Sequence, residues 1–186
     1  MRGLGPLGCA CLALALPACG PSEPEPAKRL PNVLLVVVDT LRADRLEHLG
    51  SERGATPFLD ELARGGTAFR RAYSTASWTP PAVASLFTSR LPVQHGIRRD
   101  DSVLAQAEVT LAERLTAAGY QTIGFSANLR IRVELGYGQG FDRWCTYIEN
   151  PDGGTKPRAA QITSDALAWL ERRPASEDRP VFLYLQ

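Results

Sequence analysis

The sequence predicts an α/β fold built on a mostly parallel sheet with helices on both faces. Two apolar runs, Val33–Val38 and Val181–Leu185, read as strands buried on both sides, because their apolarity is continuous rather than alternating. Helical stretches with their own start and stop signals separate the strand candidates, the alternation that a covered parallel sheet produces.

Residues 1–19 are read as a leader rather than as part of the fold. Arg2 precedes a small, apolar stretch from Leu4 to Ala18, too short and too often broken by glycine and proline to span a bilayer. Residues 20–31 are rich in proline and charge, cannot bury enough apolar surface to fold, and read as a tether. Roughly 155 residues remain, enough for one domain with a core. Of the four cysteines only Cys145 lies in that domain, so it has no internal disulfide to form. The net charge of +1 and the absence of long basic runs argue against a nucleic-acid partner.

A first strand over residues 32–38 ends at Asp39. Thr56 as N-cap and Pro57 in the first turn open a helix that Gly65-Gly66 stops. A second strand is expected over Thr67–Tyr73, then a helix from Thr79 to about Thr88 and a charged loop from Arg90 to Asp101. Thr110 caps a helix that Gly119 ends, and Gln121–Phe125 is a strand. Gly136–Gly140 reads as a flexible turn, followed by a helix carrying Ile162, Ala166, Leu167, Trp169 and Leu170. The final run reads as a central strand with no closing element after it, so the chain is expected to be the N-terminal part of a longer domain.

Two residues carry the chemistry. Asp39 closes the first strand, at the edge where open α/β sheets place their ligands. Thr79 puts a hydroxyl at a helix N-terminus, whose free N–H groups and positive dipole favour an oxyanion. Each also has a plain reading: Asp39 as a strand-end turn residue, Thr79 as an ordinary cap ahead of proline. His95 reads as a structural turn residue and His48 as a surface residue. Trp78 and Trp144 read as core or rim aromatics, and Cys145 as a small buried residue.

Several segments together resemble the opening of a sulfatase, a family of the alkaline phosphatase superfamily. They are residues 31–44 through Val38-Asp39-Thr40, Thr56-Pro57-Phe58-Leu59-Asp60, Ser77-Trp78-Thr79-Pro80-Pro81, Leu91-Pro92-Val93-Gln94-His95-Gly96, residues 110–122, and Gly140-Phe141-Asp142. The resemblance implies an alkaline phosphatase-like sandwich. It also implies a metal-dependent hydrolase of sulfate or phosphate esters, with Asp39 and Thr79 as ligands of a divalent cation and Thr79 as the catalytic nucleophile. Calcium is the expected metal, with manganese, magnesium or zinc as alternatives. Cys19, after Leu16-Pro17-Ala18, resembles the lipidated cysteine of bacterial lipoproteins. That implies an exported protein anchored to the membrane in the periplasm or at the cell surface; the other reading is simple cleavage after Ala18.

Departures from the family pattern qualify these expectations. A second aspartate is usual after the first, and here Thr40 stands there. The family nucleophile is a cysteine or serine converted to formylglycine, ahead of an arginine four residues on. Here the motif is Thr79-Pro80-Pro81-Ala82-Val83, so formylglycine is not expected. Where the family carries a lysine and a histidine, this chain has Gly124-Phe125-Ser126-Ala127-Asn128, and Asn128 is the candidate donor to a substrate oxyanion. Threonine nucleophiles are known in sister families, which makes a phosphoryl transferase or phosphodiesterase the second reading. A non-catalytic surface protein that binds anionic glycans is the third. The superfamily's downstream Asp-His-Gly segment does not occur before Gln186, so the chain by itself is expected to be inactive.

Overall fold

A computed structural model of the chain describes residues 29–52, 56–147, 159–174 and 176–186. The leader, Cys19 and most of the tether lie outside these residues. Four parallel strands form one sheet in the order β1-β4-β2-β3: β1 Val33–Val36, β2 Gln121–Ser126, β3 Arg143–Thr146 and β4 Val181–Leu185. Among the described residues five α-helices accompany them: α1 Pro57–Gly65, α2 Thr79–Thr88, α3 Pro92–His95, α4 Leu111–Ala117 and α5 Ala159–Glu171.

Strand alternation divides the core into two layers. On one face, Phe182 and Tyr184 of β4 and Val33 and Leu35 of β1 pack with Val83, Ala84 and Phe87 of α2 and Ala112 of α4. On the other, Ile123 and Phe125 of β2 and Val181 and Leu183 of β4 pack against Ile162 and Ala166 of α5. β4, the last strand in sequence, is central, as its unbroken apolarity predicts. The helix bounds at Thr79–Thr88 and Thr110–Gly119 also hold. Thr110 accepts from the Glu113 N–H while the Glu113 carboxylate accepts from the Thr110 N–H, a reciprocal cap that satisfies two otherwise free donors.

Five expectations are corrected. Thr67–Tyr73 forms no strand; Phe69 and Tyr73 are exposed, and no ladder partner stands beside them among the described residues. Among the described residues β1 ends the sheet with one face open, Leu34 and Val36 being exposed, because α5 packs with β2, β4 and the margin of β3 rather than with β1. β3, four residues of mixed polarity, was not anticipated. Its start is tied to β2 by a reciprocal pair, Thr122 N–H to Asp142 Oδ2 at 3.0 Å and Asp142 N–H to Thr122 Oγ1 at 2.9 Å. The Gly136–Gly140 turn is packed rather than flexible. Tyr137 is fully buried, and Gly140, at φ 82°, sits where a Cβ would meet the Glu113 backbone at 2.4 Å. His48 is half-buried rather than on the surface. Its backbone N–H and Nδ1 both meet Asp60 Oδ1 at 2.9 Å, while Thr56 donates to Asp60 Oδ2 instead of capping α1. Burial pushes the Asp60 carboxyl up, but the hydrogen bonds from His48 and Thr56 outweigh it and hold the pKa below the usual carboxylate value.

Gly124 of β2 lies opposite Trp144 of β3, whose indole covers it so closely that a Cβ would come within 2.4 Å of the ring. Trp144 in turn stacks on Tyr184 at 5.7 Å. Gly124→Ala is therefore expected to lower the unfolding free energy by about 1–3 kcal/mol through overpacking, measured by urea titration. Trp144→Leu in that background should recover part of the loss; a Gly124→Ala protein as stable as the parent would show that the indole moves aside freely.

Candidate active site

Parallel pairing brings the C-terminal ends of β1, β4 and β2 to one edge of the sheet. Beyond β1, the Val37 N–H donates to the Leu185 carbonyl at 2.8 Å, and beyond β2 the Ala127 N–H donates to the Gln186 carbonyl at 2.8 Å. Asp39 emerges above this edge in an exposed turn. Thr79 reaches the same place from the other side as the first residue of α2. Its Oγ1 donates to the Asp39 carboxylate at 3.3 Å to Oδ1 and 3.2 Å to Oδ2. Asn128, two residues past β2, donates from Nδ2 to Asp39 Oδ2 at 2.8 Å. The three residues singled out in the sequence thus converge, although 40 and 89 positions separate Asp39 from its two partners.

Thr79 is not acting as an ordinary cap. Trp78 holds the N-cap position, and no side chain caps this end. The half-buried Thr79 hydroxyl is spent on Asp39 rather than on its own helix. The expected cradle of free N–H groups is only partly present. Pro80 and Pro81 fill the next two positions, so two of the usual four donors do not exist. What remains for an anion is the helix dipole and the N–H groups of Trp78 and Thr79.

Asn128 is fixed in one orientation. Its backbone N–H donates to Ser126 Oγ at 3.2 Å, and its Oδ1 accepts from the Arg130 N–H at 2.9 Å. That leaves the amide nitrogen facing Asp39, with a second N–H to offer. Thr40 occupies the left-handed region at φ 58°, a costly conformation for a β-branched residue. The turn that presents Asp39 is therefore strained, at a position where an aspartate would sit more easily.

The floor beneath the site was not legible in the sequence. Tyr137, from the packed glycine turn, is fully buried and donates its hydroxyl to the Pro80 carbonyl at 2.8 Å, which pins the first turn of α2. Desolvation raises its pKa well above the usual phenol value. Phe87 meets Tyr184 edge-on at 5.0 Å and seats the same helix on β4. A tyrosine flanked by two glycines was the available signal, and it read only as a turn.

His95 is buried against the middle of α2, with Nε2 at 3.0 Å from Ser85 Oγ and Nδ1 accepting from the Ile97 N–H at 3.2 Å. The accepting Nδ1 assigns the proton to Nε2, which donates to Ser85. His95 is thus a structural residue closing α3, as its place in the sequence implies. Trp78 and Cys145 are half-buried.

Two hard oxygen donors, Asp39 and Thr79, meet at one point, as a calcium or magnesium ion requires, but such ions take roughly six to eight oxygens. Among the described residues no group of three or more His, Cys, Asp or Glu gathers. The donor chemistry fits a divalent cation, for which Asp39 and Thr79 would supply two oxygens.

A sheet-edge carboxylate facing a helix-start hydroxyl sits at the strand ends, where an α/β protein places its ligands. The family model described as Sulfatase matches residues 31–186, and the chain belongs to the sulfatase family. An ulvan-active sulfatase from Formosa agariphila is 30% identical over 181 residues, covering 85% of this chain and 34% of the relative. A crystal structure of an alkaline phosphatase superfamily protein from Vibrio parahaemolyticus superposes with a TM-score of 0.67 at 23% identity, covering 84% of this chain and 40% of that one. A phosphonate monoester hydrolase of Agrobacterium radiobacter gives a TM-score of 0.67 at 22% identity, covering the same 84% and 40%. The fold is that of the alkaline phosphatase superfamily, and the chain spans about a third of the length of the ulvan-active relative.

Burial lowers the His95 pKa below its ordinary 6.5, so the unfolded chain takes up this proton more readily than the folded one. The corresponding stability is whole above pH 6.5 and is lost as pH falls from there toward the depressed folded value. Urea midpoints measured between neutral and mildly acidic pH should fall across this window, and His95→Gln should flatten the slope. An unchanged slope in the variant would assign the effect elsewhere.

Proposed function

We propose that the chain carries the nucleophile side of an ester-hydrolysing site acting on sulfate or phosphate esters, with Thr79 as nucleophile. The single observation behind this reading is the contact between the Thr79 hydroxyl and the Asp39 carboxylate. A neutral hydroxyl is a weak nucleophile and needs a partner that favours loss of its proton. Asp39 already orients that proton away from the attacking oxygen, at a length typical of catalytic contacts before substrate binds. A divalent cation held by Asp39 and Thr79, calcium being the first choice, would lower the hydroxyl pKa and offset the ester's negative charge.

The remaining roles fall to groups already in place. The second Asn128 N–H would donate to an ester oxygen, and the positive end of α2 would favour the charge that develops there. Neither group can protonate a leaving alkoxide, so this end of the site suits esters with good leaving groups unless another residue supplies the acid. The attacking threonine favours the phosphoryl reading among the alternatives, because it cannot become formylglycine. The ulvan-active relative, which has sulfatase in its name, favours sulfate. Export and a lipid anchor at Cys19 belong to the same proposal and rest on the leader alone; loss of labelled-palmitate incorporation in Cys19→Ser would support them, and equal labelling would reject them.

The test uses the complete gene product with 4-nitrophenyl sulfate and bis(4-nitrophenyl) phosphate in the presence of calcium or manganese. Thr79→Ala should cut turnover by about a thousandfold or more with unchanged folding, and Thr79→Ser should restore part of it. A trapped adduct on Thr79 in the intact mass after phosphodiester turnover would identify covalent phosphoryl chemistry. Full activity in Thr79→Ala would refute the assignment, and absence of turnover in both proteins with intact ligand binding would favour the glycan-binding reading.

A further inference from the structure

α5 packs over β2 and β4, with Cys145 of β3 and Tyr147 at its margin, while Arg143 at the start of β3 is exposed beside it. A hollow of about 410 Å³ results between β3 and the last turns of α5, on the sheet face opposite α2 and α4. Three guanidinium groups line it, from Arg143, Arg172 and Arg173, against one carboxylate, Asp165. That carboxylate is already engaged, accepting from the Tyr147 hydroxyl at 2.7 Å and from the Gln161 amide at 3.1 Å. These bonds hold its pKa below the usual range.

Arg173 is held in place without forming a salt bridge among the described residues. Its Nε donates to Gln121 Oε1 at 2.9 Å, its Nη2 donates to the Arg179 carbonyl at 2.8 Å, and its guanidinium lies 5.9 Å from the Trp169 ring centroid. All these acceptors are neutral, so the positive charge is preserved in a half-buried, pre-organised fork. Arg143 and Arg172 are exposed, and neither forms a salt bridge among the described residues. The hollow therefore carries an excess of positive charge beside an indole and a phenol.

We infer that this hollow is a second ligand site, separate from Asp39 and Thr79, that binds an anionic saccharide unit. Guanidinium forks match the edge of a sulfate or carboxylate group, and Trp169 and Tyr147 add aromatic surface to the lining beside which a sugar ring can pack. A nucleic acid is a poorer match, because the chain's 21 basic residues are balanced by 20 acidic ones and form no long basic run. The site would hold a polymeric substrate or neighbouring glycan by a unit remote from the reacting one, and it stands whether or not Thr79 is a nucleophile.

The experiment is calorimetric titration of the whole 186-residue chain with a heparin-derived hexasaccharide, its chemically desulfated counterpart, and polyphosphate of similar charge. The sulfated sugar should bind, the desulfated one should not, and polyphosphate should bind more weakly. Arg143→Gln with Arg172→Gln should weaken the sulfated sugar by about tenfold, while Arg64→Gln, an exposed position on α1, leaves its affinity unchanged. If the double variant melts early, Arg143→Gln alone, at an exposed strand position, should still cost about threefold. The site is refuted by no binding to the parent chain, by unchanged affinity in the Arg143 and Arg172 variants, by an equal loss in Arg64→Gln, or by equal affinity for polyphosphate.

Discussion

Parallel pairing of β1 with β4 and of β4 with β2 is the constraint on which the rest of the molecule depends. Val36 pairs with Leu185, and Leu185 pairs with Phe125, so the strand ends of two sequence-distant segments are levelled at one edge. In a parallel ladder a shift of one residue would turn the side chains of a strand to the other face. The buried pair Phe182 and Tyr184 on one face, and Val181 and Leu183 on the other, makes such a shift costly. Asp39 and Asn128 meet across the end of β4 because that register is fixed.

α2 supplies the third residue, and it is held from three directions. Tyr137 takes its first-turn carbonyl, Ser85 meets His95 in its middle, and Phe87 packs edge-on against Tyr184 below. These contacts lie under the helix, leaving its first residue turned toward Asp39. The same helix shows a compromise: two prolines fix the start of α2 but remove donors that would otherwise face an anion. An ester bound here would depend more on charge from a cation and on Asn128 than on backbone N–H groups.

The sequence was most legible where one signal was strong and local. Continuous apolar runs located β1 and β4, and the Thr110–Glu113 capping box and the Pro80-Pro81 pair located the starts of α4 and α2. It misled where residue type and partner disagree. Thr67–Tyr73 has strand-forming residues but no neighbour to pair with among the described residues, and Arg143–Thr146 has a weak pattern but a strong neighbour in β2. Strands are defined by partners that are distant in sequence, so their propensity is the weaker guide. In the candidate site, Asp39 and Thr79 were identifiable because family-like motifs surround them, and Asn128 because it stands where the family carries a lysine and a histidine. Tyr137 and the strained Thr40 were not, since burial and backbone angle are properties of the folded chain alone.

The central claim is that Asp39 and Thr79 act as a unit, and a double-mutant cycle on kcat/KM addresses it directly. If the carboxylate works through the hydroxyl, Asp39→Asn combined with Thr79→Ala should be within about threefold of the worse single variant, because the second change removes a partner with nothing left to assist. Losses that multiply across the two substitutions would show two independent groups and contradict the account.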